Sequence, residues 1–559
     1  MSKTDTSHSG TVVFLSETAA HDPKTNKWAI PILVLTVLFV GLTHYGTSPL
    51  RNIAHHRPLL NCDNNSFGTD QAVFLYIGRL VLHGGIPYRD AFDHKGPLIY
   101  LLDAAGLAIH GVFGVWLLEL LCLAVSTVFA HKTARCFAPP GVTLFTTVIS
   151  AFWFTARCNG NLCETWSIPF LLVSLYYWIR YLREDFQISK RAAFTVGFCF
   201  AAVLLMKPNL TALWMLFCLT VAWVSIRRRA FGFLVSRISV FLLGAGVLAF
   251  PILGWLWKNG AWNDFIEQFW GFNRIYCHVE FTRKLAAFAD LFNPLPRRAY
   301  FTFFAVIGYI ILARRTKIKA DRLIFVSMDI FLILSMALMS MSGRLYRWYL
   351  PPLIVPFLPF LAAAFAWSLK TERAGWDKFL RRALLILLLV PTLVCDIPVF
   401  RPVSRVVQKG IQHRTDPETG DSKLSSGQTS SFYAHEIADW LKENTEPETR
   451  IANFGIGGRI FYWYAGRDSV SKYFYIHDTH LKNGYLPDIV GELKRKAPEV
   501  FIFQTMRGYP ENSGKKRSAA FDSESERVPV AIPEEIAKWI ASEGYRKVFE
   551  NDSYEIYRK

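Results

Sequence analysis

The chain has no CxxC pair, and none of its nine cysteines lies beyond Cys395, so a zinc site is not expected. It has no Walker motif, which argues against P-loop nucleotide chemistry. It opens on the polar stretch MSKTDTSHSG rather than an apolar leader, so no cleavable signal peptide is expected. It shows no clear internal repeat. Charge is scarce: 19% of the 559 residues are charged, against 52% hydrophobic and 15% aromatic, too apolar for an ordinary soluble protein of this length. What charge there is leans one way, at +18. The lysines and arginines sit in short loops between apolar runs, and no RNA-binding motif or groove-reading helix accompanies them. The excess therefore reads as membrane topology, and no nucleic-acid partner is expected.

The apolar residues gather into runs near the length needed to cross a ~30 Å hydrocarbon layer. Candidate spans run from Trp28 to Tyr45, Val112 to Lys132, Gly141 to Ala156, Thr165 to Tyr181, Ala192 to Met206 and Leu210 to Ile226. Five more follow: Ile238 to Trp257, Tyr300 to Ala313, Leu323 to Met341, Tyr349 to Leu369 and Ala383 to Cys395. The fifth and sixth are short and separated only by Lys207, Pro208 and Asn209, so one broken helix is the alternative to two spans. Charge decides between them. With a cytoplasmic N-terminus, the inside loops carry Lys132 and Arg135, then Arg180, Arg183, Lys190 and Arg191, then Arg227, Arg228 and Arg229. They continue with Arg314, Arg315, Lys317, Lys319 and Arg322, and with Lys370, Arg373, Lys378, Arg381 and Arg382. Every such loop is basic only when both short runs cross. The sequence thus predicts an α-helical multi-pass protein of about 11 spans in a plasma (inner) membrane.

The outer segments are then the loop 46–111, a short loop at 157–164, a long loop at 258–298, residues 342–348 and everything after about Asp396. Two stretches of the first outer loop, Gln71 to His83 and Leu98 to His110, read as interfacial helices, since Gly106, His110 and Gly111 interrupt a continuous span. Cys158 and Cys163 share the short outer loop and form either a disulfide or two free thiols, the second being favoured. Residues 1–27 form a cytoplasmic tail, 28–400 the membrane module, and 401–431 a polar linker. From 432 to 559 the periodicity alternates: HEIADWLKENTEPET as a helix, RIANFGIGG as a strand, DIVGELKRKAPEVFIFQ as helix then strand, PEEIAKWIASEGYRKVFE repeating that order. A small extracytoplasmic α/β domain is expected. Gly455, Gly457 and Gly458 lack dinucleotide-fingerprint spacing and read as a tight turn.

An enzyme working at an outer face needs a donor delivered through the membrane, and a sugar on a polyprenyl phosphate meets that need. Transfer to a hydroxyl requires a carboxylate for the acceptor proton and cations for the departing phosphate. The first outer loop offers both: Asp70 heads an amphipathic run, and Lys95 precedes Gly96 and Pro97, with Arg79 and Arg89 as further cations. The segment SGRLYRWYLPP adds Arg344, Tyr346, Arg347 and Tyr349. Singly, each of these cations also fits a headgroup-binding role at the interface. Asp90 and Asp93 either shape the loop through turns and ion pairs or take part directly. Glu119 and Asp329 lie within spans, where an acid is either functional or packed against a polar helix. Tyr462, Trp463, Tyr464, Tyr473 and Tyr475 can stack on sugars or pack the outer domain.

The order Asp70, amphipathic helix, G-x-PYRD, FDHKGPL, apolar stretch resembles bacterial GT-C membrane glycosyltransferases, in the superfamily of protein O-mannosyltransferases and aminoarabinose transferases. GRLYRWYLPPLIVP is similar to that family's G-R-x-Y-x-H-Y segment, with Trp348 in place of its histidine, and KENTEPETRIANFGIGGRIFYWYAGR extends the likeness. The resemblance implies an inverting transfer with Asp70 as general base and Asp63 as the competing carboxylate. It implies Lys95 as the contact to the lipid phosphate, although Gly96 intervenes before the proline. It also implies Glu164 as a residue that binds acceptor or donor sugar, or caps the next helix. No metal and no cofactor beyond the lipid-linked donor are expected. The acceptor is a glycan, lipid or protein, and membrane lipids are further partners. A transporter or flippase, or a non-catalytic component of a surface-polysaccharide assembly, is the alternative. Polar residues gathered at one face, rather than paired broken helices at the midplane, disfavour transport.

Overall fold

A computed structural model describes residues 28–49, 69–155, 158, 160–292, 300–369, 429–455, 459–476, 480, 483–504, 534–551 and 554–559. The expected span 383–395, the linker, Asp63, Gly457 and Gly458 and the side chain of Arg347 lie outside them.

Among the described residues, four helices are long and apolar enough to cross a membrane: Pro97–Arg135, Phe231–Lys258, Lys319–Ser342 and Leu350–Ser368. Ala29–His44, Pro140–Trp153 and Ala212–Arg227 are shorter apolar helices. Cys163–Arg183 and Leu350–Ser368 are buried along nearly their whole length. Phe231–Lys258 instead turns Leu242, Leu243, Val247, Phe250 and Trp257 outward, a surface suited to lipid. That helix packs tightly against Lys190–Leu204 through paired small residues: a Cβ on Gly197 would meet the Phe241 carbonyl, and one on Gly244 the Phe194 carbonyl. In Leu350–Ser368 the Tyr309 hydroxyl is inserted into the backbone ladder, donating to the Pro356 carbonyl and accepting from the Phe360 N–H at 3.0 Å. It occupies the place of the ordinary helical bond between those two residues.

Pro97–Arg135 is broken in the middle. His110 and Gly111 leave helical geometry, Gly111 at φ +58°. Past this point the chain folds back, because an added Cβ on Gly106 would lie 2.6 Å from the Val115 Cα. In a straight helix those residues would be about 13 Å apart. The break falls where Gly106, His110 and Gly111 mark an interruption in the sequence, so residues 97–110 form a separate limb from residues 111–135.

The segment 258–298, expected as a loop, carries structure of its own. Trp262–Phe265, a π-helical turn Ile266–Phe272 and Asn273–Tyr276 run together, and Phe281–Leu291 follows. The last of these is amphipathic, with Phe281 and Leu285 exposed. The π-turn re-aims Gln268 and Asn273 toward the carbonyls of Tyr88 and His94.

Beyond residue 429 lies a four-stranded sheet in the order β1-β2-β4-β3, with β1 Ile451–Phe454, β2 Val500–Gln504, β3 Arg546–Glu550 and β4 Tyr554–Arg558. β1 and β2 are parallel, joined by a crossover through the helices Arg459–Ala465 and Leu486–Lys496. β4 runs antiparallel to both β2 and β3. β2, VFIFQ, is buried at every position, as a central strand covered on both faces must be. β3 is mostly exposed and carries Arg546, Lys547 and Glu550, charges that blunt a free edge.

The sheet region rests on residues 76–92. Phe92 is buried against Phe272, Tyr473, His480 and Tyr485, and its N–H donates to the Lys472 carbonyl at 2.7 Å. Burying a phenylalanine in this way contributes about 1.5–3 kcal/mol. Arg79, in the helix Thr69–Leu82, donates to the carbonyls of Tyr462 and Arg467 and to Asp468 at 3.0–3.1 Å. Tyr76 Oη accepts from the Ser469 N–H at 3.0 Å.

Candidate active site

The site is assembled where the Lys95-Gly96-Pro97 corner meets the end of the helix Lys190–Leu204. Gly96 N–H donates to the Met206 carbonyl at 3.0 Å and Leu98 N–H to the Leu205 carbonyl at 3.1 Å. An added Cβ on Gly96 would stand 2.0 Å from the Leu205 oxygen, so only glycine lets the two backbones approach. This close approach brings the Lys95 corner against Leu205 and Met206, which lead from the helix end to Lys207.

Lys207 Nζ lies 2.5 Å from Glu164 Oε1 and 4.5 Å from the centre of the Tyr349 ring. Burial disfavours its charged form, but the Glu164 carboxylate outweighs that, with help from Asp70, and holds the ammonium above its ordinary range. Asp70 sits in the first turn of Thr69–Leu82, half-buried and within electrostatic reach of Lys207. Its neighbour Gln71 donates to the Gly160 carbonyl and so pins the helix start to the turn that precedes Cys163–Arg183. The Cys163 thiol lies within electrostatic reach of Glu164, Lys207, Lys95 and Asp93.

Asp93 is the buried anchor of the first loop. Its oxygens accept from Tyr100 at 2.6 Å and Tyr475 at 3.1 Å, and its N–H donates to Gln268 Oε1 at 3.2 Å. Burial raises its pKa, but the neighbouring His94, the charge of Lys95 and the Tyr100 hydroxyl overcome this and keep it below the usual carboxylate range. Asp93 is thus an ionised brace beneath Lys95. The Lys95 carbonyl is itself held by Tyr88 Oη at 2.7 Å and Tyr100 Oη at 3.3 Å.

On the far side, Arg344 Cζ stands 4.0 Å from the centre of the Tyr276 ring, and Tyr276 Oη shares a 2.5 Å hydrogen bond with Tyr346 Oη. Tyr346 stacks on Trp348 with ring centres 4.7 Å apart. Arg344 and Lys207 both bear on the Cys277 thiol, which ties this group to the first.

Asp70, Lys95, Glu164, Arg344 and Tyr346 are therefore gathered around one region. The others lie elsewhere. Arg79 is committed to the 462–468 stretch. Arg89 and Asp90 form a two-pronged pair at 2.7 and 2.9 Å, with Arg89 also donating to the Asn259 carbonyl. Glu119 accepts from the Thr47 hydroxyl and the Asn161 N–H, bracing the second outer loop. Asn161 continues that brace to Asp103 and Trp166 at 2.9 Å each. Asp329 lies half-buried in its helix, and its Oδ1 has no hydrogen-bond partner among the described residues. Cys158 and Cys163 are separate buried thiols. No group of three or more His, Cys, Asp or Glu placed to hold a metal occurs among the described residues.

Sequence reasoning missed Lys207, Tyr276 and His94. Lys207 carried a signal, a lysine-proline step between two apolar runs at an outer end, but it was legible only as a break between spans.

Comparison with known proteins finds the same architecture. The aminoarabinose transferase ArnT from Cupriavidus metallidurans, in a structure bound to undecaprenyl phosphate, aligns with a TM-score of 0.53 at 10% identity, over 95% of this chain and 98% of that one. The same protein in its apo state gives 0.52 at 12%, over 96% and 98%. The Archaeoglobus fulgidus oligosaccharyltransferase in its apo form gives 0.46 at 12%, over 87% and 70%. No curated protein matches by sequence. At these identities the likeness to ArnT shows a shared fold, a mostly helical one with helices long and apolar enough to cross a membrane among the described residues. A family model described as "Putative competence-induced protein Ccs4 N-terminal domain" matches residues 52–400, more than half of the sequence, and the chain belongs to that family.

Proposed function

We propose that this protein is a membrane glycosyltransferase that moves a sugar from a polyprenyl-phosphate donor to a hydroxyl acceptor at the extracytoplasmic face of the plasma membrane, with inversion. The N-terminus is cytoplasmic in this reading, about eleven spans cross the bilayer, and the sheet region past residue 429 forms an outer domain that helps recognise the acceptor.

The observation that carries the reading is the meeting of one carboxylate-bearing helix start with three cations. Asp70 lies within electrostatic reach of Lys207, Lys95 and Lys207 both act on the Cys163 thiol, and Arg344 and Lys207 both act on the Cys277 thiol. Such a site suits a phosphate whose charge grows as it departs. The acceptor oxygen forms a bond to the anomeric carbon while the bond from that carbon to the phosphate oxygen breaks. The acceptor proton passes to Asp70. The polyprenyl phosphate leaves with one more negative charge, met by Lys95, Lys207 and Arg344. Glu164 keeps Lys207 charged and in place. The bound undecaprenyl phosphate of ArnT supports a lipid-linked donor.

The test is release of free polyprenyl phosphate by the full chain in liposomes supplied with a panel of polyprenyl-phosphate sugars and a membrane extract as acceptor. Wild-type turnover that is lost in Asp70→Asn, with donor binding retained, is the expected result. Turnover surviving in Asp70→Asn would remove Asp70 as base. No binding or turnover of any donor would remove the transferase reading.

A further inference from the structure

Between the buried Asp93 and the Lys95 ammonium stands His94. Its Nε2 lies 2.7 Å from Lys95 Nζ, and its Nδ1 lies 3.4 Å from Asp93 Oδ1. An ammonium has donors only, so Nε2 is the acceptor and the ring proton belongs on Nδ1, the side that faces the carboxylate. The ring is fixed from another direction as well. It stacks on Tyr276 with centres 5.5 Å apart at 29°, and packs on Phe272 at 5.4 Å. Its backbone carbonyl accepts from Asn273 Nδ2 at 2.7 Å. Asp93 is itself clamped by Tyr100, Tyr475 and Gln268. A flexible lysine stem ends here on an imidazole that is packed between Tyr276 and Phe272.

We propose that His94 is a positioning residue for Lys95: its Nε2 lone pair takes one ammonium proton and aims the remaining two at the phosphate of the donor. The inference rests on the transferase reading above. Lys95 carries four rotatable bonds, and the buried Asp93 carboxylate lies within electrostatic reach of its charge. Without the imidazole between them, the ammonium is free to turn back onto Asp93 and away from the side where Lys207 and Arg344 gather. The Asp93 carboxylate, 3.4 Å from Nδ1, favours the tautomer that carries its proton on that side. Tyr276 carries the effect to the other wall of the site, since its opposite contacts are Arg344 and Tyr346. The sheet region takes part through Tyr475, so its docking and the aim of Lys95 are linked by a single run of contacts. The contact to the leaving phosphate strengthens as that phosphate gains charge, so misplacing the ammonium lowers kcat more than it raises the donor KM.

The test compares kcat, donor KM and equilibrium binding of polyprenyl phosphate for wild type, His94→Gln and His94→Phe, alone and in a Lys95→Ala background, using the full chain in liposomes. A glutamine carbonyl can accept from Lys95, so His94→Gln is expected to keep kcat within about threefold of wild type. His94→Phe preserves the stacking but not the acceptor, and its kcat is expected to fall about tenfold with donor KM moving less than about threefold. In Lys95→Ala the same His94→Phe change is expected to cost no more than about twofold, because nothing remains to aim. The proposal is overturned if His94→Phe works as well as wild type, if His94→Gln is as impaired as His94→Phe, or if the loss persists without Lys95. A wild-type protein that neither binds nor turns over any donor sinks the transferase reading itself, an outcome separate from these three.

Discussion

Lys207 and Glu164 meet at 2.5 Å with their side chains only 14% and 3% exposed, at the junction of two helices rather than in the middle of either. Glu164 comes from the first turn of Cys163–Arg183, and Lys207 from the corner after Lys190–Leu204. Lys207 also rests on the Tyr349 ring, so three separate parts of the membrane module depend on one ammonium. Truncating one member of a buried ion pair strands the other without compensation. Lys207→Met is therefore expected to lower stability by about 3–5 kcal/mol, seen as a lower thermal midpoint in detergent, and to abolish turnover. Lys207→Met combined with Glu164→Gln should recover much of the thermal midpoint but none of the turnover. A single mutant that melts like wild type would mean that water reaches Glu164 and the pair is not a structural joint.

Gly96 sets the distance between the first outer loop and that joint. Its missing side chain is what allows the Lys95 corner to bond to the Leu205 and Met206 carbonyls, since a Cβ would fall 2.0 Å from the Leu205 oxygen. The carbonyl belongs to a helix end and cannot swing aside as a flexible side chain could. Gly96→Ala should push the corner outward and separate Lys95 from Lys207. The expected result is a loss of at least about tenfold in kcat/KM with a destabilisation of about 1–3 kcal/mol. Wild-type kinetics in Gly96→Ala would show that the corner tolerates a shift the present geometry does not allow.

Asp93 gives a pH signature. Its carboxyl is held below the ordinary range, so the folded state binds this proton less readily than the unfolded chain does. A depressed carboxyl contributes stability that is complete above its unfolded value of about 4 and is lost as pH falls through the lower, folded value. Asp93→Asn should therefore be less stable than wild type near neutral pH, and the gap should narrow as pH is lowered below about 4. Paired melting curves between pH 3 and pH 7 check this. A gap independent of pH would assign the loss to packing around Tyr100 and Tyr475 rather than to charge.

The parts of this molecule written in local pattern were legible in its sequence. The amphipathic run headed by Asp70 is the helix Thr69–Leu82, and the glycine-histidine interruption at 106–111 is a real reversal of the chain. The helix-then-strand reading of DIVGELKRKAPEVFIFQ corresponds to Leu486–Lys496 and β2. The parts written in long-range contact were not. Lys207 gains its meaning from Glu164, forty-three positions earlier, and Asp93 from Tyr475, 382 positions later. The 258–298 stretch is polar enough to read as a loop, yet a π-turn there directs Gln268 and Asn273 back to residues 88–94. β4 was missed because YEIYR alternates charged and aromatic residues, and only its place beside β2 buries Tyr554 and Ile556.

Arg79 shows how the same chemistry serves a different end. A cation on an amphipathic helix one turn and more from Asp70 is a natural phosphate ligand by sequence, but its guanidinium is engaged by Asp468 and the carbonyls of Tyr462 and Arg467. It ties the helix that presents Asp70 to the region that also supplies Tyr475. Charge-assisted hydrogen bonds of this kind contribute about 1.5–3 kcal/mol, and a lysine lacks the planar, pre-organised guanidinium that holds these contacts. Arg79→Ala, and to a lesser degree Arg79→Lys, should loosen the sheet region from the first outer loop. Limited proteolysis of the protein in liposomes should then cut between residues 429 and 559 about tenfold faster than in wild type. Donor KM should change little, because the cations of the site remain, whereas kcat should fall through the Tyr475–Asp93 contact. The opposite pattern, a raised donor KM with unchanged proteolysis, would return Arg79 to the phosphate.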